Sequence, residues 1–200
     1  VKNWKNKAQL IGYIPGAGDK VAESLSELGM EVRTLTIADL SSPELIKQYD
    51  AIVCGVRLAN VRKDLAPYLP NLWRYIENGG NVLMQYNTSR GLEIENFSPL
   101  PIQLSNGRVT DEKAEIVILD AKSVVLNEPN LITKLDFDNW VQERGVYYPE
   151  TWDKGYHTVF SMHDADEKPL TSGILYAPYG KGNFVYTSLA FFRQLPSGNP

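Results

Sequence analysis

Between residues 10 and 86 the chain alternates short apolar runs with stretches whose apolar residues recur at helical spacing, and few architectures accommodate that alternation. Leu10-Ile11-Gly12-Tyr13-Ile14 reads as a buried strand. Pro15-Gly16-Ala17-Gly18 turns the chain, and Asp19 is placed to cap a helix through Leu28. On that helix Val21, Leu25 and Leu28 share a face, and Gly29 suits its C-terminal stop. Residues 30–35 predict a second strand and 39–48 a short helix. Residues 50–55 predict a third strand, whose continuous apolar character fits a central parallel strand covered on both sides. A helix over 65–77 ends at Asn78-Gly79-Gly80, and residues 81–86 make a fourth strand. Strands joined by helices in this way predict an α/β domain: a mostly parallel, doubly wound sheet with helices on both faces.

The remainder is less regular. Residues 88–153 are rich in Pro, Asn and Asp and contain short β-like runs such as Ala114-Glu115-Ile116-Val117-Ile118-Leu119. They predict an insertion or lobe of short strands packed at one end of the sheet. Residues 157–162, 173–177 and 183–189 again have strand character, with a hairpin-type turn at Tyr179-Gly180-Lys181-Gly182. No internal repeat or low-complexity tract interrupts residues 1–200, so they read as one domain. With 43% hydrophobic and 22% charged residues, a chain of this length buries a core without disulfides or metals.

Composition also removes function classes. A net charge of -4, with Lys2, Lys5 and Lys7 as the only basic run, argues against a nucleic-acid partner. No apolar stretch approaches the roughly 18 residues that membrane insertion needs. The single cysteine, Cys54, excludes an internal disulfide and a multi-cysteine zinc site. The chain opens at Val1 without Met and closes on the loop-like Pro196-Ser197-Gly198-Asn199-Pro200, which reads as a piece of a longer polypeptide.

In an open α/β sheet, ligands bind at the carboxyl ends of the strands, here the loops over 15–19, 55–60 and 85–91. The first invites a phosphate-binding reading, because a helix start presents free N–H groups. It lacks both the G-x-G-x-x-G spacing and the Lys-Ser/Thr ending of a P-loop, however, and Asp19 would repel an anion. A turn that simply starts a helix is therefore the preferred reading. Cys54, inside Ile52-Val53-Cys54-Gly55, reads as a small core hydrophobe. His157 and His163 have no spacing that would hold a metal, and no cofactor is expected. Polar residues after the third and fourth strands are candidates for ligand binding: Arg57 and Asn60, then Gln85, Asn87 and Arg90, with Asp19 beside them. Trp140, Gln142, Glu143, Arg144 and Tyr148 join them from the stretch over 140–149, where rings and Arg/Gln donors together suit a polar or carbohydrate ligand. The competing reading is a hydrogen-bonded network that stiffens the open end of the sheet.

Three stretches carry a family resemblance: Ile11-Gly12-Tyr13-Ile14-Pro15-Gly16-Ala17-Gly18-Asp19-Lys20-Val21, Tyr49-Asp50-Ala51-Ile52-Val53-Cys54-Gly55-Val56-Arg57, and Asn78-Gly79-Gly80-Asn81-Val82-Leu83-Met84-Gln85-Tyr86-Asn87-Thr88. With residues 140–149 and Tyr179-Gly180-Lys181-Gly182, they resemble the C-terminal region of large bacterial proteins of the PIG-L (LmbE-like) deacetylase family, seen especially in Bacteroidetes. That region is similar to the class I glutamine-amidotransferase-like fold, a flavodoxin-like α/β fold shared with ThuA-like proteins and the trimerisation domain of some β-galactosidases. The resemblance covers nearly the whole chain. It implies a catalytic domain of the same polypeptide as partner, a metal-dependent N-deacetylase parent and a periplasmic or secreted location. Two departures limit what carries over. No P-H-x-D-D type motif is present, so the deacetylase activity does not transfer. The segment matching the amidotransferase nucleophile elbow reads Gln85-Tyr86-Asn87-Thr88-Ser89, without cysteine, and Cys54 lies one strand earlier. The expectation is a non-catalytic accessory domain that binds a polar ligand such as a glycan or packs on a catalytic domain. The alternatives are a stand-alone ThuA-like hydrolase using Ser89, Glu143 or His163, and an oligomerisation domain.

Overall fold

A computed structural model describes residues 4–199. Along the chain run β1 (Leu10–Ile14), α1 (Val21–Glu27), β2 (Glu31–Thr34), α2 (Ile37–Leu40), α3 (Pro43–Ile46), β3 (Ala51–Cys54), α4 (Leu58–Val61), α5 (Leu69–Glu77) and β4 (Asn81–Gln85). There follow β5 (Ile102–Val109), β6 (Val117–Ile118), α6 (Val124–Asn127), β7 (Gly145–Trp152), β8 (His157–Thr158), β9 (Phe160–Ser161), β10 (Ile174–Tyr179), β11 (Gly182–Thr187) and α7 (Phe191–Gln194). Seven strands form one sheet in the order β2-β1-β3-β4-β11-β10-β8. The first five of these are parallel, and β10 and β8 are antiparallel additions at one edge.

Alternation along the central strands sorts their side chains onto two faces. Ile52, Cys54, Val82 and Met84 enter one core with residues of α2 to α5, including Leu40, Ile46, Leu58, Leu72 and Ile76. Ile11, Tyr13, Val53 and Leu83 point the other way, against Val21, Ala22 and Leu25 of α1 and Phe192 of α7. Both faces are thus covered by helices, as the continuous apolar character of residues 50–55 requires.

Several boundaries differ from the sequence expectation, each for a local reason. The helix expected over 39–48 is two helices. Thr36 starts α2 with a reciprocal capping box to Asp39, and Pro43 opens α3, since a proline disfavours the helical conformation in the residue before it. The helix expected over 65–77 begins as a 3-10 turn, Lys63–Tyr68, because Pro67 lacks the N–H of a regular helix. Residues 55–60, expected as loop, include the start of α4. The single strand expected over 157–162 is two, β8 and β9, which belong to different sheets.

The region expected to be irregular contains two of the longest strands. β5 and β7 form an antiparallel ribbon whose register shifts at Gln103/Leu104, Leu104/Gly107 and Gly107/Arg108. Such bulges break the period-2 pattern by which a strand is read from sequence. The β6–β9 pair joins this lobe, which has its own core of Val109, Ile116, Phe137, Trp140, Phe160 and Met162 among others. Val146 N–H donates to Ser188 O at 2.9 Å and Ala190 N–H to Arg144 O at 3.0 Å, so β7 is pinned to the chain leaving β11. That pinning holds the ribbon over the carboxyl ends of the parallel strands.

Candidate functional site

The crevice between β1 and β3 is where the strand order reverses, the usual ligand site of such sheets. Here the chain itself fills it. Ala17 N–H donates to Val56 O at 2.8 Å, and a Cβ on Gly16 would lie 2.1 Å from that same oxygen. The Asp19 carboxylate accepts from Tyr13 Oη at 2.6 Å, Val21 N–H at 2.9 Å and Val56 N–H at 2.9 Å. It does not occupy the cap position of α1, which falls on Lys20 with no side-chain cap. Burial, reinforced by Asp19, pushes the Tyr13 phenol well above its ordinary pKa. Asp19 is thus a latch between two loops.

Gln85, Asn87 and Asn60 are also directed inward. Asn87 Oδ1 accepts from Ala59 N–H at 2.7 Å, while Asn87 N–H donates to Tyr186 Oη at 2.9 Å. Asn60 Oδ1 accepts from Thr88 N–H at 2.9 Å, and its Nδ2 lies 3.1 Å from the carbonyls of Thr88, Arg90 and Gly91. These two amides brace the loop after β4 against α4. Gln85 Nε2 makes only long contacts of 3.4 Å to Asp19 and Cys54 O, and its Oε1 is buried without a partner.

What the braces hold in place is an open cavity of about 540 Å³ lined by Arg57, Thr88, Arg90, Asn106, Arg108 and Tyr147. Arg57 leaves β3, Thr88 and Arg90 follow β4, and the other three come from β5 and β7. Two of the six have left-handed backbone, Arg57 at φ 56° and Tyr147 at φ 53°. The Tyr147 ring is stacked on Tyr86 with centroids 6.0 Å apart, and the Arg108 guanidinium lies 5.7 Å from its centroid. Burial raises the Tyr86 phenol pKa, against the opposing pull of Arg57 and Arg193.

Of the candidates from the sequence, only Arg57 and Arg90 line this cavity. The candidates from the stretch over 140–149 belong to the lobe, and Tyr147 is the residue of that stretch that reaches the cavity. Trp140 is 3% exposed, and its indole N–H donates to Asp136 O at 3.0 Å. Arg144 is buried, donating to the carbonyls of Ala114 and Phe137. Tyr148 is fully buried with its hydroxyl 3.1 Å from Met162 Sδ. Glu143 pairs with Arg193 at 2.9 Å, and Gln142 is exposed, with its N–H on Glu112 at 2.8 Å. Asn106, Arg108 and Tyr147 went unread because they reach the site only through the pairing of β5 with β7, which has no local signature.

Among the described residues, no nucleophile and base meet around the cavity. Ser89 Oγ donates to Asn106 Oδ1 at 2.7 Å, an amide oxygen that cannot serve as a base at neutral pH. His157 lies on β8, pairing at the sheet edge with Tyr176, and His163 Nδ1 is 2.8 Å from Asp164 O. Cys54 is 1% exposed and its thiol is pushed up to about 12 by burial, so it has no thiolate character at neutral pH.

No family model and no curated protein matches the chain. Solved structures do. A cytoplasmic protein from Salmonella typhimurium superposes with a TM-score of 0.56 at 11% identity, covering 94% of this chain and 96% of that one. A protein named for GMP synthase, from Thermoplasma acidophilum, gives 0.52 at 10% identity over 96% and 92%. The chain has the glutamine-amidotransferase-like fold. A ThuA-like protein from Parabacteroides merdae has the same amidotransferase-like architecture, with a TM-score of 0.51 at 10% identity over 92% of this chain and 79% of that one. Likeness at this level of identity is likeness of fold: an α/β, flavodoxin-like sheet whose site is to be judged from its own residues.

Proposed function

We propose that this amidotransferase-like chain is a non-catalytic binding domain, an accessory part of a larger PIG-L-type hydrolase. One observation carries the reading. The loop after β4, where an amidotransferase of this fold keeps its thiol, is Gln85-Tyr86-Asn87-Thr88-Ser89, braced by Asn60 and Asn87 and opening onto a polar cavity. The scaffold of a site persists and the nucleophile does not. A hydrolase built on Ser89 would need an imidazole or carboxylate at its hydroxyl, and the partner there is Asn106.

The test has two arms: titration of the chain with polar sugars, and titration with the catalytic domain encoded in the same reading frame. Saturable binding in either arm is expected, whereas silence in both would remove the proposal. Ester or amide hydrolysis by the purified chain that disappears in Ser89→Ala would replace it with the enzyme reading. Self-association in light scattering, with neither arm binding, would replace it with the oligomerisation reading.

A further inference from the structure

We infer that the cavity over the ends of β3 and β4 selects an anionic ligand, a small polar molecule bearing a phosphate or carboxylate group. This rests on the binding-domain reading and names the chemistry that the domain would take. Three of the six lining residues are arginines, Arg57, Arg90 and Arg108, and none of the six is acidic. Among the described residues, every ion pair involves other cations, and none of these three guanidinium groups donates a hydrogen bond. The chain as a whole carries a net charge of -4, so this local excess of positive charge runs against its overall balance. Unpaired guanidinium groups around one concavity present forked donors matched to the paired oxygens of carboxylates and phosphates. A concave wall between them concentrates their field on whatever enters.

Two further observations point the same way. Left-handed backbone at a residue with a side chain costs free energy and collects at ligand sites; here Arg57 and Tyr147 both have it and both line this cavity. The left-handed turn at Arg57 comes directly before α4, and its N–H is held by Tyr86 O at 2.7 Å, which sets where the side chain leaves the loop. In addition, a neutral sugar is held largely by stacking on an open aromatic face. The cavity's one ring, Tyr147, already has Tyr86 stacked on it and the Arg108 guanidinium over it. Trp140 is enclosed in the lobe core between Phe137 and Phe191. Recognition therefore falls to the guanidinium groups, with Thr88 and Asn106 available for hydroxyl groups on the rest of the ligand.

Calorimetric titration with glucose 6-phosphate, glucuronate, inorganic phosphate and glucose tests this directly. Binding of the anions and not of glucose is expected, weakening as salt is added. Arg57→Gln and Arg108→Gln should each reduce anion affinity about tenfold, the effect of removing one charge-assisted hydrogen bond. Lys181→Gln, an equal change of net charge in the β10–β11 turn at the opposite end of the sheet, should leave it unchanged. The ratio of glucose 6-phosphate to glucuronate affinity then separates phosphate from carboxylate. Glucose binding as tightly as its anionic relatives would overturn the inference while leaving the binding-domain reading in place. Anion binding that survives the two arginine changes, or falls equally with Lys181→Gln, would also overturn it. If no anion binds, the inference fails alone, and the catalytic-domain titration decides the broader reading.

Discussion

Arg57 combines a conformation that glycine would adopt more cheaply with a side chain that glycine lacks. Replacing it separates the two. Arg57→Gly should keep stability or raise it by up to about 1 kcal/mol in thermal melts, as the left-handed strain disappears, while anion affinity falls about tenfold as in Arg57→Gln. A variant that is clearly less stable would show that the side chain has a structural role. The amides beneath the loop predict a contrast of their own. Asn87→Ala leaves the buried Ala59 N–H without its acceptor and should cost about 1–3 kcal/mol in urea unfolding. Gln85→Met removes only 3.4 Å contacts and an oxygen with no partner, so it should change stability by less than about 1 kcal/mol. These roles were not readable in advance. Asn60, Gln85 and Asn87 were visible as polar groups after strands, yet whether an amide faces ligand or backbone depends on which loop packs opposite it.

Among the elements, the parallel strands and their helices were legible because each carries its own period. Residues 10–14 and 51–54 are apolar on both faces, which only a covered central strand tolerates. Gly29, at φ 90°, ends α1 where the sequence places its stop. The ribbon of β5 and β7 was illegible for the opposite reason. Its bulges break the alternation, and its partner strands lie tens of residues apart. The hairpin turn before β11 also has a demand that its type does not reveal. A Cβ on Gly182 would come within 2.0 Å of Gly80 O and 2.5 Å of Ile76 O, at the end of α5. Gly182→Ala should therefore cost about 1–3 kcal/mol, read as a lowered urea midpoint with unchanged slope. An unaffected midpoint would mean that β11 and α5 can part without loss.

For the whole molecule, the buried ionisable groups set a limit on the alkaline side. Cys54 is pushed by burial from 9.0 to about 12, and Tyr75, also chiefly by burial, from 10.0 to about 12. Both are held neutral in the folded chain and ionise more readily once unfolded. Their contribution is complete below pH 9 and is lost progressively as pH rises from about 9 towards 12. Urea midpoints should fall across that window, and Cys54→Ala should flatten the fall at a cost in baseline stability. A flat profile would mean that the thiol is solvated in the native state. The sequence by itself determined the layered α/β architecture and the absence of a thiol after β4, because strand and helix periods and residue identity are local properties. It also placed Arg57 and Arg90 at the carboxyl ends of the strands, where a ligand would be met. Only the tertiary structure decided which residues line the candidate cavity. Packing of residues 15–19 on Gly55 and Val56 closes one crevice, and the β5–β7 ribbon brings Asn106, Arg108 and Tyr147 over another. The physical reason is that a cavity is made by surfaces distant in sequence, and no local period records which of them will meet.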